Sequence, residues 1–122
     1  MPSRFPVPGN PVRGSKSGKP IMALFDLLGR SWALGVIWQL ANGPLTFRQI
    51  QDRCEQMSPT ILNRRAKELI ASGLVEKGDQ GYQLTDTGVE LFVFLKPLGA
   101  WSQQWADNLS PDRTIPQSSQ SD

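Results

Sequence analysis

From Pro20 to Leu109 the apolar positions recur mostly at helical spacing, with one short interval of strand-like alternation. IMALFDLLGR reads as a short amphipathic helix interrupted at Gly29. In SWALGVIWQLANGP, Ser31 is placed to cap a second helix and Asn42-Gly43-Pro44 to end it. Trp32, Val36, Ile37 and Leu40 line one face of that helix, and Leu34, Trp38 and Ala41 the other. A helix apolar nearly all round is expected to be covered on both sides, either at the centre of the core or shared with another subunit. Leu45-Thr46-Phe47 opens a third helix, with Thr46 as N-cap and Gln49 three residues on, a capping-box pattern. Phe47, Ile50 and Cys54 follow at i, i+3 and i+7, so Cys54 is expected as a small buried thiol and not a redox group.

The next segment, MSPTILNRRAKELIASGLV, predicts a fourth helix capped by Ser58, with Pro59 at its first position and Gly73 placed to end it. Two strands, Leu74 to Lys77 and Tyr82 to Leu84, are joined by GDQG as a β-hairpin. Thr85 then caps a last helical stretch that Pro97 kinks or divides. Along it Phe94, Leu98, Trp101 and Trp105 recur at i, i+4, i+7 and i+11. So much apolar surface on one stripe points to a subunit interface, the alternative being that it packs back on its own core.

Three helices, the third with a Ser-Pro start, and then a hairpin are the order of a winged helix-turn-helix, whose recognition helix enters the DNA major groove. The fold class expected is therefore mostly α with a small β-hairpin, with extra N- and C-terminal helices forming a dimer interface that includes Trp32, Trp38, Phe94, Leu98, Trp101 and Trp105. Successive helical residues diverge by about 100°, so adjacent Arg64 and Arg65 must face different surroundings. On the wheel Ile61, Leu62, Ala66, Leu69 and Ile70 form an inner arc that also takes in Arg65, while Thr60, Asn63, Arg64 and Lys67 form the outer one. Asn63 and Arg64 carry side chains suited to bidentate contact with adenine and guanine edges. Arg65 is expected to lay its stem on the core and reach an acid or a phosphate from the flank. With Ser58 at the helix start and Lys77 on the wing, these residues make up the expected DNA-binding set.

Composition narrows the chemistry. The chain has 122 residues, a length for one domain, and a net charge of only +2. Arg4, Arg13, Lys16 and Lys19 lie in an acid-free Pro/Gly-rich leader, so any nucleic-acid affinity of the domain must come from local placement of charge. There is no His and one Cys, which removes zinc clusters, Cys-His dyads and Ser-His-Asp triads. No Gly-rich phosphate loop or paired-acid motif stands out, so neither an enzyme nor a cofactor or metal site is expected. Residues 1–19 read as a disordered basic arm, 20–109 as the domain and 110–122 as a disordered tail. The N-terminus lacks the pattern of a signal peptide and no apolar run reaches membrane-spanning length, so a cytoplasmic protein without membrane contact is expected.

The order of four segments resembles the HxlR-type winged-helix transcriptional regulators, and more distantly the MarR-type and ArsR-type regulators. LLGRSWAL is similar to that family's Gly-x-x-Trp opening of the second helix, and GPLTFRQI to its Gly-Pro-x-x-Phe stretch. SPTILNRRAKELIASGLV resembles its recognition helix and following strand, and GYQLTDTG its Tyr-x-Leu-Thr-x-x-Gly run after the wing. The resemblance implies a bacterial homodimer, built through the terminal helices, that binds double-stranded DNA at a pseudo-palindromic promoter site. Three departures accompany it: Lys19-Pro20 stands where many members have Cys-Pro, the wing KGDQGY is short, and Ala66 replaces a larger residue. Two further readings stay open at this level. One is a winged-helix protein-interaction module without DNA binding; the other is a regulator sensing a small-molecule effector in an aromatic pocket between the terminal helices.

Overall fold

The structure, a computed structural model, describes residues 5–109. Its elements run α1 (Pro20–Leu28), α2 (Ala33–Leu40), α3 (Phe47–Arg53), α4 (Pro59–Ala71), β1 (Val75–Gly78), β2 (Gly81–Leu84), α5 (Asp86–Leu95) and α6 (Pro97–Leu109). The described chain forms two compact units that divide after Glu90.

The first unit holds the core. Val36 and Ile37 of α2, Ile50 of α3, and Leu62 and Leu69 of α4 are fully buried, and Cys54 joins them at the end of α3. Each such aliphatic side chain contributes about 1.5–3 kcal/mol relative to leaving it in water. The caps of the two central helices are as expected. Thr46 Oγ1 accepts from the Gln49 N–H at 3.2 Å while Gln49 Oε1 accepts from the Thr46 N–H at 2.9 Å. Ser58 Oγ accepts from the Ile61 N–H at 3.3 Å, with Pro59 in the first turn of α4. Helix α4 ends in a Schellman motif: Gly73, at φ 82°, donates to Ile70 O and Leu74 to Leu69 O, both at 3.0 Å.

Five expectations are corrected. Helix α2 starts at Ala33, and its N-cap is Trp32 at φ 67°, with no side-chain cap. Ser31 is too early because the backbone turns first, the Ala33 N–H bonding Arg30 O at 3.0 Å. The Trp32 ring then lies over Gly35, where a Cβ would stand 2.8 Å from Cε3. Second, of the two placements expected for α2 the centre of the core is ruled out: Val36, Ile37 and Leu40 are buried, whereas Leu34 and Trp38 are exposed. Third, Ile70 is 40% exposed, because the inner arc of α4 centres on Leu62, Ala66 and Leu69.

Fourth, the hairpin pairs Val75 with Leu84 through Gly78 with Gly81, a closer turn of Asp79-Gln80. Leu45, read as the approach to a helix, makes an antiparallel bridge to Tyr82 on the free edge of β2. Fifth, the leader has structure over its described part. Pro6 is buried, Val12 and Ser15 bridge, the Gly9 N–H bonds Gly18 O at 2.9 Å, and Arg13 pairs with Asp26 of α1. Turn chemistry and one buried acid order a segment that has no apolar period. The tail expected from residue 110 lies outside the described residues.

Thr85 Oγ1 accepts from the Gly88 N–H at 3.0 Å and donates to Gly73 O, tying the start of α5 to the end of α4. In the second unit, Pro97 divides the terminal stretch: α5 ends at Leu95 and α6 begins at the proline.

Candidate nucleic-acid interface

Helix α4 separates its faces cleanly. Leu62, Ala66 and Leu69 are buried, and Thr60, Asn63, Arg64 and Lys67 are exposed. The Arg64 side chain makes no hydrogen bond or ion pair within the described residues, so its five N–H donors are open to a partner. Ser58 is exposed as well, but its hydroxyl oxygen is engaged as the cap and only its O–H remains to donate. On the wing, Lys77 is exposed and holds its ammonium 5.5 Å from the centre of the Tyr82 ring.

Arg65, one of the expected DNA-binding residues, is turned inward. It is 8% exposed; its Nε donates to Ser31 O and its Nη1 to Glu68 Oε1, each at 2.7 Å. Of the two partners considered for its guanidinium, it has taken the acid. The other oxygen of Glu68 accepts from Arg30 Nη1 at 2.7 Å, and Arg30 Nε stands 3.5 Å from Asp26. Asp26 also accepts from Arg13 Nε at 2.9 Å and from the Arg13 backbone N–H at 3.2 Å. Burial pushes the Asp26 carboxyl up, but the Arg13 hydrogen bonds and the Arg30 charge outweigh it and hold the group below the ordinary carboxylate value. A chain of ion pairs thus runs from the leader through α1 to α4.

Sequence reasoning missed this chain. Two of its links had a signal, Asp26 with Arg30 at i+4 and Arg65 with Glu68 at i+3. It also passed over Arg48 and Arg53, exposed cations on α3, the helix that crosses the DNA backbone in a helix-turn-helix.

The residues expected at a subunit interface are all exposed, from Trp32 at 37% and Trp38 at 40% to Phe94 at 77%. On α6, which buries none of its residues, Trp101 and Trp105 stack with centroids 5.9 Å apart and planes 11° from parallel, and Leu98 is exposed beside them in the sequence period. Cys54 is buried, and its thiol pKa is raised by burial and by Glu55. No group of three or more acid or thiol side chains among the described residues is placed to hold a metal ion. No single described helix is long and apolar enough to cross a membrane.

The profile of the HxlR-like helix-turn-helix family matches residues 27–110, from the end of α1 past the end of α6. The chain belongs to this family. Two similar proteins come from Bacillus subtilis. The uncharacterized HTH-type transcriptional regulator YvaP is 30% identical over 89 residues, covering 67% of this chain and 82% of that one. The HTH-type transcriptional regulator YodB is 30% identical over 90 residues, covering 68% and 80%. The crystal structure of quinone-bound YodB superposes with a TM-score of 0.63 at 32% identity, covering 69% of this chain and 96% of that one. Reduced YodB gives 0.62 at 30%, covering 73% and 95%. This HxlR-like chain is accordingly a DNA-binding transcriptional regulator.

Proposed function

We propose that the protein acts in the cytoplasm as a homodimer on a pseudo-palindromic promoter site, each copy laying α4 in the major groove of one half-site. The observation that carries this is the division of α4: Asn63 and Arg64 stand exposed between Thr60 and Lys67, while the opposite face is locked by Leu62, Leu69 and the Arg65–Glu68 pair. Asn63 and Arg64 read base edges; Thr60, Lys67 and the Ser58 hydroxyl serve the flanking bases and phosphates. Lys77 from the wing, with Arg48 and Arg53 from α3, neutralises backbone charge. The second copy is supplied through the exposed aromatic residues of α6 with those of α2, since a regulator reading two half-sites needs them held one helical turn apart.

Selection from a pool of random duplexes tests the reading. An enriched motif with two inverted halves about 10 base pairs apart is expected. A single unpaired half, or no enrichment, sinks it, and the latter outcome leaves a protein-interaction module. A small-molecule effector is a second reading, favoured by the quinone found in the YodB structure. The thiol of this chain is buried in the core, so a quinone here binds without adding to sulfur. Release of the selected duplex by a quinone, undiminished in Cys54→Ala, is the expected result on that reading.

A further inference from the structure

Between the leader, the α1–α2 turn and the flank of α4 lies a cavity of about 340 Å³, lined by Arg13, Arg30, Ser31, Arg64, Arg65 and Glu68. Four guanidinium groups meet there, against Glu68 in the lining and Asp26 behind Arg13 and Arg30. Among the described residues the surplus is two positive charges in a concave site, where the surrounding protein focuses the potential and screening is weaker than on an open surface.

The carboxylates do not exhaust the donors. Arg13 meets Asp26 through Nε, and Arg65 is bonded through Nε and Nη1. Each guanidinium carries five N–H groups in a planar fork suited to bidentate contact with phosphate. Arg64 has all of its donors open within the described residues.

We propose that this cavity binds a phosphate group. Its surplus charge matches a dianion better than a single carboxylate, and its four acceptor oxygens can take several Arg forks at once. The volume, near the lower end for small-molecule sites, leaves room for a phosphate or pyrophosphate moiety. Two sources carry phosphoryl oxygens: the phosphate of a freely diffusing small molecule, which supplies the dianion, or a backbone phosphate of DNA beside α4, a monoanion with two free oxygens. Because Arg64 belongs to both the cavity and the outward face of α4, an occupant there acts on the same side chain that faces DNA. The site is lined by one copy of the chain, so binding of a free anion there is measured without a dimer or a duplex.

The full chain is titrated with inorganic phosphate and with pyrophosphate at constant ionic strength, followed by calorimetry and by amide chemical shifts. Saturable one-to-one binding of pyrophosphate is expected, with shifts centred on Ser31 and Arg64. Arg64→Ala, which removes an exposed side chain and leaves the core intact, should weaken it by about tenfold, the loss of one charge-assisted contact. Lys16→Ala removes a leader cation outside the lining and should change it by less than about twofold. Non-saturating shifts, or equal losses in the two variants, overturn the proposal, because either means diffuse attraction to a basic surface. Failure here leaves the selection experiment on random duplexes untouched. The two sources are told apart by adding a selected duplex: pyrophosphate that competes with it marks a DNA phosphate as the resident group, and pyrophosphate that binds alongside it marks a free anion.

Discussion

Helices α4 and α6 are each 13 residues long and each begins on proline, yet they meet opposite fates. Helix α4 carries four charged residues, Arg64, Arg65, Lys67 and Glu68, and buries five side chains, two of them charged. Helix α6 has Asp107 as its one charge and two tryptophans, and buries nothing. Composition alone would assign the burial the other way. What decides it is whether the chain itself supplies a complementary surface: Glu68 and Arg65 go inside because Arg30 and the Ser31 carbonyl are there to meet them. In the proposed dimer the surface that meets Trp101 and Trp105 belongs to a second copy.

The comparison breaks most decisively on α6. Trp101→Glu or Trp105→Glu should bring the mass in sedimentation from twice 13.5 kDa to that of one chain. Affinity for the two-half site should fall by about 10²–10⁴-fold as the second contact ceases to be intramolecular. A variant that stays dimeric removes α6 from the interface.

On α4 the next largest effect belongs to an acid. Glu68→Ala leaves Arg30 and Arg65 without their shared carboxylate and should cost about 3–5 kcal/mol in urea unfolding. A loss below about 1 kcal/mol, the range of exposed pairs, would mean that the network is solvated.

The two neighbouring arginines sharpen the contrast within one helix. Arg64→Ala should cost about 1–3 kcal/mol on the selected duplex, relax preference at one position per half-site and leave the melting temperature almost unchanged. Arg65→Ala should do the reverse, lowering stability while affecting specific and nonspecific duplexes alike. If the two variants match in both measurements, the assigned orientation of α4 is wrong.

A smaller effect follows from Asp26. Its folded-state pKa lies below the ordinary 3.8, so the stability it contributes is fully present above that value and is lost as pH falls through the lower one. The gap in urea midpoint between the wild type and Asp26→Asn should therefore be constant near neutrality and close on strong acidification. Removing Arg13 should move that closure to higher pH.

Much of the helical frame was legible because it is written in local chemistry. Thr46 with Gln49, Ser58 with Pro59, Gly73 and Pro97 each act within one turn of the chain, and each does what its type predicts. The alternation of Leu62, Asn63, Arg64 and Arg65 between faces followed from helical period alone. Elements that depend on distant partners were hidden. Ser31 has the right chemistry for a cap, but its carbonyl answers to an arginine 34 residues away. Residues 5–19 look unfoldable until Asp26 is placed beside Arg13, and nothing local marks Leu45 as the neighbour of Tyr82.

That last pairing has a consequence in time. The Leu45 N–H bonds Tyr82 O at 3.0 Å and the Tyr82 N–H bonds Leu45 O at 2.8 Å, and a side chain at Gly81 would run into the Leu45 carbonyl. The two amides belong to one reciprocal contact, so a local opening that parts the two segments frees both together. After correction for intrinsic chemistry, deuterium should enter Leu45 and Tyr82 at one shared rate, although the residues are far apart in the chain. Since Leu45 leads directly into the Thr46 cap of α3, such a shared rate would tie opening of the wing to fraying of that helix.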